Sequence, residues 1–300
     1  MNTQLKDPND VSVGRTKEMF HRPTDIEEAV SCLAAHPGAV PIAGGTDVMV
    51  GVNYRRLRPA AMIDLTGVVE LREWSDEGDA IRIGAGVPYA RIIDDLGGVL
   101  PGLAAASRTV GSPQIRNRGT LGGNLATASP AGDAHPPLLA AGAKVEIAST
   151  AGRRTVPAAD FYTGPKRSVL AESELIAAVI VPKAAGPQQF LKVGNRGAMV
   201  ISVCSFALSL DVEGRAVGAG IGSAGPTPLR ATEAESIELP WDKSGPLGDE
   251  TVERFGALVA EAARPIDDVR GTAAYRRHAL AVCARRALLR AWKELLCDWN

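Results

Sequence analysis

Cysteine is scarce in this chain: Cys32, Cys204, Cys283 and Cys297 are the four in 300 residues, and none forms a C-x-x-C pair. That excludes a disulfide framework, a zinc site and an iron–sulfur cluster built from the chain's own thiols, and it fits a reducing cytoplasm. Charge of one sign is lacking too. With 33 basic and 34 acidic residues the net charge is −1, which leaves no electrostatic footprint for nucleic acid or anionic lipid. No apolar run reaches the ~20 residues of a membrane-spanning helix. The opening MNTQLKDPNDVSVGRTKEMF has no apolar centre of the secretion-signal kind and reads as a polar tail over residues 1–17. Aromatics amount to 4% of the residues, whereas glycine (32) and proline (20) are plentiful and cluster, the glycines around 38–51, 84–86, 111–123 and 214–225. Clusters of this kind mark particular loops and not a low-complexity tract.

Periodicity orders the segments between those loops. HRPTDIEEAVSCLAAHPG predicts a helix with Thr24 as N-cap and Glu27 completing a capping box; Ile26, Ala29, Val30 and Leu33 form its apolar stripe. AVPIA predicts a short buried strand, residues 47–57 a helix, and AAMIDLTGV a second strand, together a βαβ unit. AIRIGAGVPYARIIDDL turns from strand alternation to helical spacing at Pro88, with GAGV read as a turn. AKVEIAS, the hairpin return GRRTVPAADF and ELIAAVIVP follow as strands. After the break PKAAGPQQ, QFLKVGNRGAMVISVCSFALSLD and RAVGAGIGSAGPTPLRA predict antiparallel strands, and two helices close the chain. The expected organisation is α+β: residues 18–185 in two α/β subdomains (18–75 and 76–185), then an α+β domain over 186–300.

Two glycine elements carry the chemistry. PIAGGTDV (41–48) ends a strand on Gly44 and Gly45. Such a pair makes a turn at no steric cost. It also makes a backbone nest, in which the amides of Gly44, Gly45 and Thr46 approach an anion and Asp47 caps a helix or accepts from a ligand hydroxyl. The second element, TVGSPQIRNRGTLGGNLATASPAGDAHPPLLA (109–140), carries Arg116 and Arg118 and reads as a long functional loop. Gly119, Gly122 and Gly123 bracket Thr120 as a second run of donors, and Asn124, Thr127, Ser129 and Asp133 offer partners to a polyol or a ring edge. Two such elements point to a large anionic ligand with several subsites.

AGGTD followed by VGSPQIRNRGTLGGNLATASPAGD resembles the FAD-binding subunit of the molybdenum hydroxylases, the family of xanthine dehydrogenase, aldehyde oxidoreductase and aerobic carbon monoxide dehydrogenase. The resemblance extends through FHRPTDIEEAVSCL, MIDLTGVVEL, ELIAAVIVP, FLKVGNRGAMVISV, SAGPTPLRATEAE and PIDDVRGTAAYRRHALAVCARRAL, nearly the whole chain. It implies the flavin-binding fold of vanillyl-alcohol-oxidase relatives, two α/β subdomains that clasp FAD, followed by a C-terminal α+β domain. Pro41, Ile42, Ala43, Gly44, Gly45, Thr46, Asp47 and Val48 would then cradle the pyrophosphate. Thr120, Leu121, Gly122, Gly123 and Asn124 would form the second cradle, with Val110 packing nearby and Asp133 accepting from the cofactor. Ile176 and Lys192 match positions against the flavin end, where a lysine would favour an anionic reduced ring.

By the same resemblance the chain is an oxidoreductase subunit that binds FAD noncovalently and has no catalytic dyad and no metal of its own. A large molybdopterin subunit would hydroxylate substrate, and electrons would pass through the [2Fe–2S] centres of a small subunit to FAD and on to a final acceptor. The assembly implied is a cytoplasmic dimer of heterotrimers. The cysteine-rich insert of some relatives is missing, Thr46–Asp47 is nearer the xanthine dehydrogenase branch, and His135 does not match the position of covalent attachment in distant relatives. Two other readings stand beside it: a free-standing FAD-dependent reductase, and an assembly protein of the same fold without flavin. The intact glycines argue against the latter. In RRHALAVCARRALLRAWKELL, Leu280, Cys283, Ala287, Ala291 and Leu295 share one helical face, so its arginines form a solvated or docking face. Trp292 and Trp299 are candidates for subunit anchoring or core packing, and His21, His36 and His278 lack co-ligands.

Overall fold

The computed structural model describes residues 19–242 and 245–298, so the polar tail and Trp299 lie outside the described residues. The first unit comprises β1 (Met19–His21), α1 (Ile26–Ala35), β2 (Val40–Ile42), α2 (Val48–Asn53) and β3 (Ala61–Asp64). Its strands form a parallel sheet of order β1-β3-β2, so the glycine pair leaves β2 at its carboxyl end. Ligands gather beyond that end of open α/β sheets. The expected apolar stripe packs α1, with Ile26, Ala29, Val30 and Leu33 buried. Its cap sits one residue later than predicted. Asp25 accepts from the Glu28 amide at 2.7 Å, and the Glu28 carboxylate returns to the Thr24 amide at 2.8 Å. The motif TDIEE offers two overlapping capping registers, and the one that buries Ile26 directly after the cap prevails. α2 is shorter than expected because Arg55 adopts a positive φ of 55°.

The second unit runs through α3 (Val69–Arg72), β4 (Trp74–Asp76), β5 (Ala80–Gly84), α4 (Tyr89–Asp95), α5 (Pro101–Arg108), α6 (Pro113–Arg118), α7 (Leu121–Thr127), α8 (His135–Ala140), β6 (Lys144–Ser149), β7 (Gly152–Pro157), β8 (Tyr162–Gly164), β9 (Arg167–Ser168) and β10 (Leu175–Pro182). Its antiparallel sheet has the order β4-β5-β10-β6-β7. β10 is central and buried along nearly its whole length, as its unbroken apolar run requires. The segment 109–140, read as a loop, folds instead into α6, α7 and α8. Ser112 caps α6 and Thr120 caps α7 through their hydroxyls, and the prolines of SPQ and HPP fall at helix starts, where a missing N–H costs nothing.

The third unit is the antiparallel sheet β11 (Gln188–Val193), β12 (Cys204–Asp211), β13 (Ala216–Gly222) and β14 (Leu229–Arg230), covered by α9 (Thr232–Glu235), α10 (Asp249–Ala262) and α11 (Ala273–Asp298). It has its own core, to which α11 contributes Leu280, Cys283, Ala287, Ala291, Trp292 and Leu295. The sequence AVGAGIG explains how this sheet docks. A Cβ on Gly218 would lie 1.9 Å from the Ala140 carbonyl oxygen, and one on Gly220 2.0 Å from that of Pro136. Glycines two apart on a strand meet carbonyls four apart on α8, so helix and sheet approach at backbone distance. That contact carries β11, and Lys192 with it, to the end of the α6–α8 segment.

Candidate functional site

The two glycine elements meet. A Cβ on Gly44 would lie 1.8 Å from the Arg118 carbonyl oxygen, so only glycine permits this approach of the β2–α2 loop to the end of α6. Gly45 follows with φ +74°, in the left-handed region that favours glycine. Among the described residues, no acceptor lies in hydrogen-bonding range of the amides of Gly44, Gly45, Thr46 and Asp47. Four consecutive free donors at a strand end form the nest that the sequence allowed. Asp47 precedes α2 without a side-chain cap, so of its two expected roles, helix cap or acceptor from a ligand hydroxyl, the first is not taken up and the residue is exposed.

The second cradle differs from expectation. Four of its five amides are already used, all but that of Thr120: Leu121 donates to Val87 O at 3.1 Å, Gly122 to Ala85 O at 2.8 Å, Gly123 to Thr120 Oγ1 at 3.1 Å and Asn124 to Thr120 O at 3.1 Å. Leu121 is wholly buried in the core. A Cβ on Gly122 would meet that of Ala85 at 2.4 Å, so this glycine seats α7 on the GAGV turn. Gly123 has a different task. Its Cβ would meet only Thr120 Oγ1, at 3.0 Å, and its face is open to the cleft. The element therefore supplies a smooth wall with side-chain partners and not a second nest.

The walls enclose a cleft of about 490 Å³ lined by Pro41, Ala43 to Val48, Tyr89, Val110, Ile115, Thr120, Gly123, Asn124, Thr127, Ser129, Gly132 and Ile201. Ile42 does not line it. A mostly apolar chamber of about 270 Å³ adjoins at Pro41, Ala43, Thr120 and Gly123, walled by Leu65, Leu170, Leu175 and Ile176 with Glu172 and Glu174. Lys192 lies elsewhere, on a cavity of about 420 Å³ that it shares with Arg108, Arg116 and Arg196. Ile176 and Lys192, expected together at one end, thus occupy separate chambers. The sequence reading did not single out Tyr89, Ile115 or Ile201. Their apolar spacing is that of ordinary packing, and no local pattern distinguishes a cleft wall from a core.

Lys192 is not a free cation. Its Nζ donates to Asp133 Oδ2 at 2.6 Å and to the Thr109 carbonyl at 3.3 Å, with both side chains of the ion pair about nine-tenths buried (8% and 10% exposed). Burial pushes the Asp133 carboxyl above its ordinary range, and Lys192 pulls it partly back. Asp133 Oδ1 is buried without a partner, as is Asn124 Oδ1. Orphaned buried acceptors of this kind are matched by a ligand's donors. His135 is buried as well. It pairs through Nδ1 with Tyr162 Oη at 2.7 Å, and desolvation depresses its pKa to about 3, opposed by the Ser129 backbone. The imidazole is neutral, and its Nε2 is buried without a hydrogen-bond partner.

The donor set fits FAD: free amides for a pyrophosphate, a mostly apolar chamber, an orphaned acceptor for a hydroxyl or ring N–H group, and a methyl-free wall at Gly123. Residues 14–184 match the FAD binding domain in molybdopterin dehydrogenase, and residues 189–291 the CO dehydrogenase flavoprotein C-terminal domain. The chain is 33% identical to the nicotine 6-hydroxylase medium subunit of Paenarthrobacter nicotinovorans, covering 91% of this chain and 96% of that one. It is 30% identical to a xanthine dehydrogenase FAD-binding subunit of Escherichia coli, covering 91% and 95%. The structure superposes on reconstituted CO dehydrogenase from Oligotropha carboxidovorans with a TM-score of 0.85 at 27% identity, over 92% of this chain and 98% of that one. With a family match over more than half its length and a cleft of the matching chemistry, the chain belongs to the FAD-binding subunits of the molybdopterin dehydrogenases, a family of oxidoreductases.

Proposed function

We propose that this chain is the electron-transfer subunit of a heterotrimeric molybdenum hydroxylase, holding FAD noncovalently. It would take electrons from the [2Fe–2S] centres of a small partner subunit and pass them to a final acceptor, while a large molybdopterin subunit hydroxylates the substrate. The four free amides at Gly44–Asp47, facing a cleft that Gly123 leaves smooth, carry the reading. When bound, FAD supplies the exchange between one-electron and two-electron carriers.

The chain's own residues bind, orient and exclude. The Gly44–Asp47 amides hold negative charge without a side chain to titrate. Leu65, Leu170, Leu175 and Ile176 offer an apolar seat for an adenine ring. Asn124 brings an unpartnered oxygen to the cleft wall, whereas Asp133, buried against Lys192, is not among the residues that line the cleft. The Asp133–Lys192 pair is close to neutral as a unit, so Lys192 offers no bare cation to a ligand. His135 is buried, engaged with Tyr162 and absent from the cleft lining, so its ring is not presented to a ligand there. Among the described residues no helix is long and apolar enough to cross a membrane, and a cytoplasmic dimer of heterotrimers is the assembly proposed.

The test is a visible absorption spectrum of the purified chain before and after acid precipitation. A flavin band that moves wholly into the supernatant supports the reading. Flavin held in the pellet overturns noncovalent binding, and a folded chain that refuses added FAD overturns the cofactor site. Turnover of the isolated chain with a nicotinamide donor would favour a free-standing reductase.

A further inference from the structure

Behind the glycine cradle lies a second cavity of about 450 Å³, which meets the cofactor cleft at Ala43, Gly44 and Thr120. Four arginines line it: Arg22, Arg72, Arg91 and Arg118. They arrive from four places in the fold: Arg22 follows β1, Arg72 ends α3, Arg91 lies in α4 and Arg118 ends α6. Two of them are neutralised. Arg22 Nε lies 3.3 Å from Asp64, and Arg91 lies 3.0 Å from Asp95 and 3.5 Å from Glu73. Among the described residues, no carboxylate stands within ion-pair distance of Arg72 or Arg118.

Arg72 and Arg118 are solvent-exposed and carry charge that no carboxylate among the described residues offsets, so an anion entering between these separate elements meets two uncommitted cations. Arg72 and Arg118 stand in the last turns of α3 and α6, where a helix dipole favours a cation, but that local effect does not bring arginines from four separate elements to one cavity. The rim adds complementary donors, the free Gly44 amide and the polar side chains of Thr66 and Asn117. Planar guanidinium forks beside an amide match phosphate oxygens in both charge and geometry. Resting on the FAD reading above, we propose that Arg72 and Arg118, with the Gly44 rim, form a phosphate-binding site that opens onto the cofactor cleft. The same chemistry could come from the pyrophosphate of the cofactor itself or from the phosphate of a separate nucleotide.

The experiment titrates the flavin-stripped and FAD-loaded full chain with FAD, riboflavin and inorganic pyrophosphate by calorimetry at low and high salt. It compares wild type with Arg72→Ala, Arg118→Ala, Arg118→Lys and the double alanine variant, each checked for a wild-type melting curve. If the cofactor's pyrophosphate is the occupant, each alanine weakens FAD binding about tenfold at low salt and riboflavin binding stays unchanged. Arg118→Lys, which keeps the charge and loses the fork, falls between. If a separate nucleotide is the occupant, FAD binding is untouched, and the FAD-loaded wild type binds pyrophosphate whereas the double variant does not. Equal FAD and pyrophosphate binding by wild type and double variant overturns the site. Pyrophosphate binding that needs both arginines in a chain that never takes up FAD would leave this site standing and overturn the cofactor reading.

Discussion

Two glycines of the same site should respond oppositely to a single methyl group. At Gly44 an added Cβ falls 1.8 Å from a carbonyl oxygen and 2.5 Å from the carbonyl carbon of Arg118. The obstacle is backbone, so α6 or the β2–α2 loop must move. Overpacking of this kind costs ~1–3 kcal/mol or more, which corresponds to a loss of roughly 2–5 °C in Tm for a chain of this size. At Gly123 the Cβ meets only the Thr120 hydroxyl, at 3.0 Å, and otherwise enters the cleft. Alanine in place of glycine inside α7 favours the helix by about 0.5–1 kcal/mol, enough to offset a shift of a few tenths of an ångström at Thr120. Gly123→Ala should therefore melt within about 3 °C of wild type and bind FAD at least about tenfold more weakly, a change of ~1.4 kcal/mol. Gly44→Ala should lose stability and FAD together. Differential scanning fluorimetry of the apo chain and FAD titration by fluorescence quenching read the two effects separately. Wild-type FAD affinity in a folded Gly123→Ala chain would refute the assignment of this wall to the cofactor.

Three further outcomes follow from the geometry. Gly45→Val forces a β-branched residue to φ +74°; the cost is ~1–3 kcal/mol of strain, and a folded, flavin-free chain is expected, with retained stoichiometric flavin counting against the nest. Lys192→Met leaves Asp133 buried without its cation, an arrangement that costs ~3–5 kcal/mol, so the Lys192→Met/Asp133→Asn double variant should be more stable than Lys192→Met alone in urea melts; strictly additive losses would show that the pair is not coupled. His135 stays neutral down to about pH 3 in the folded chain and titrates near 6.5 when unfolded. Below pH 6.5 the unfolded chain takes up a proton that the folded chain refuses, so this residue's contribution to stability is present above that pH and is lost as the pH falls towards 3, by up to ~1.4 kcal/mol per pH unit. His135→Gln should flatten that slope in denaturant melts taken between about pH 4 and 7, and an unchanged slope would contradict the buried neutral imidazole.

Much of the fold was legible because its signals are periodic and local. The α1 stripe, the βαβ unit around PIAGGTDV, the β6–β7 hairpin and the α11 face all follow from side-chain alternation with caps and breakers, and each appears in the structure. The glycine pair at 44–45 was legible as a nest because a strand end followed by two glycines has few conformations. Segment 109–140 was misread as loop because each of its three helices spans only six or seven residues, too short for a hydrophobic period to show. Its cap Thr120 was read as a ligand donor, because without tertiary support a capping hydroxyl and a binding hydroxyl look alike.

By itself, the sequence determined where the backbone could bend, which faces had to be buried and which loop could present bare amides, since each depends on neighbours a few residues away. Only the tertiary structure decided that Gly44 touches Arg118, that the amides of Gly122 and Gly123 are already used, and that Lys192 meets Asp133 and not Ile176. Those facts depend on residues dozens of positions apart. They are fixed by how closely helices and sheets approach, and that closeness is set by glycines such as 218 and 220, whose purpose no local pattern reveals.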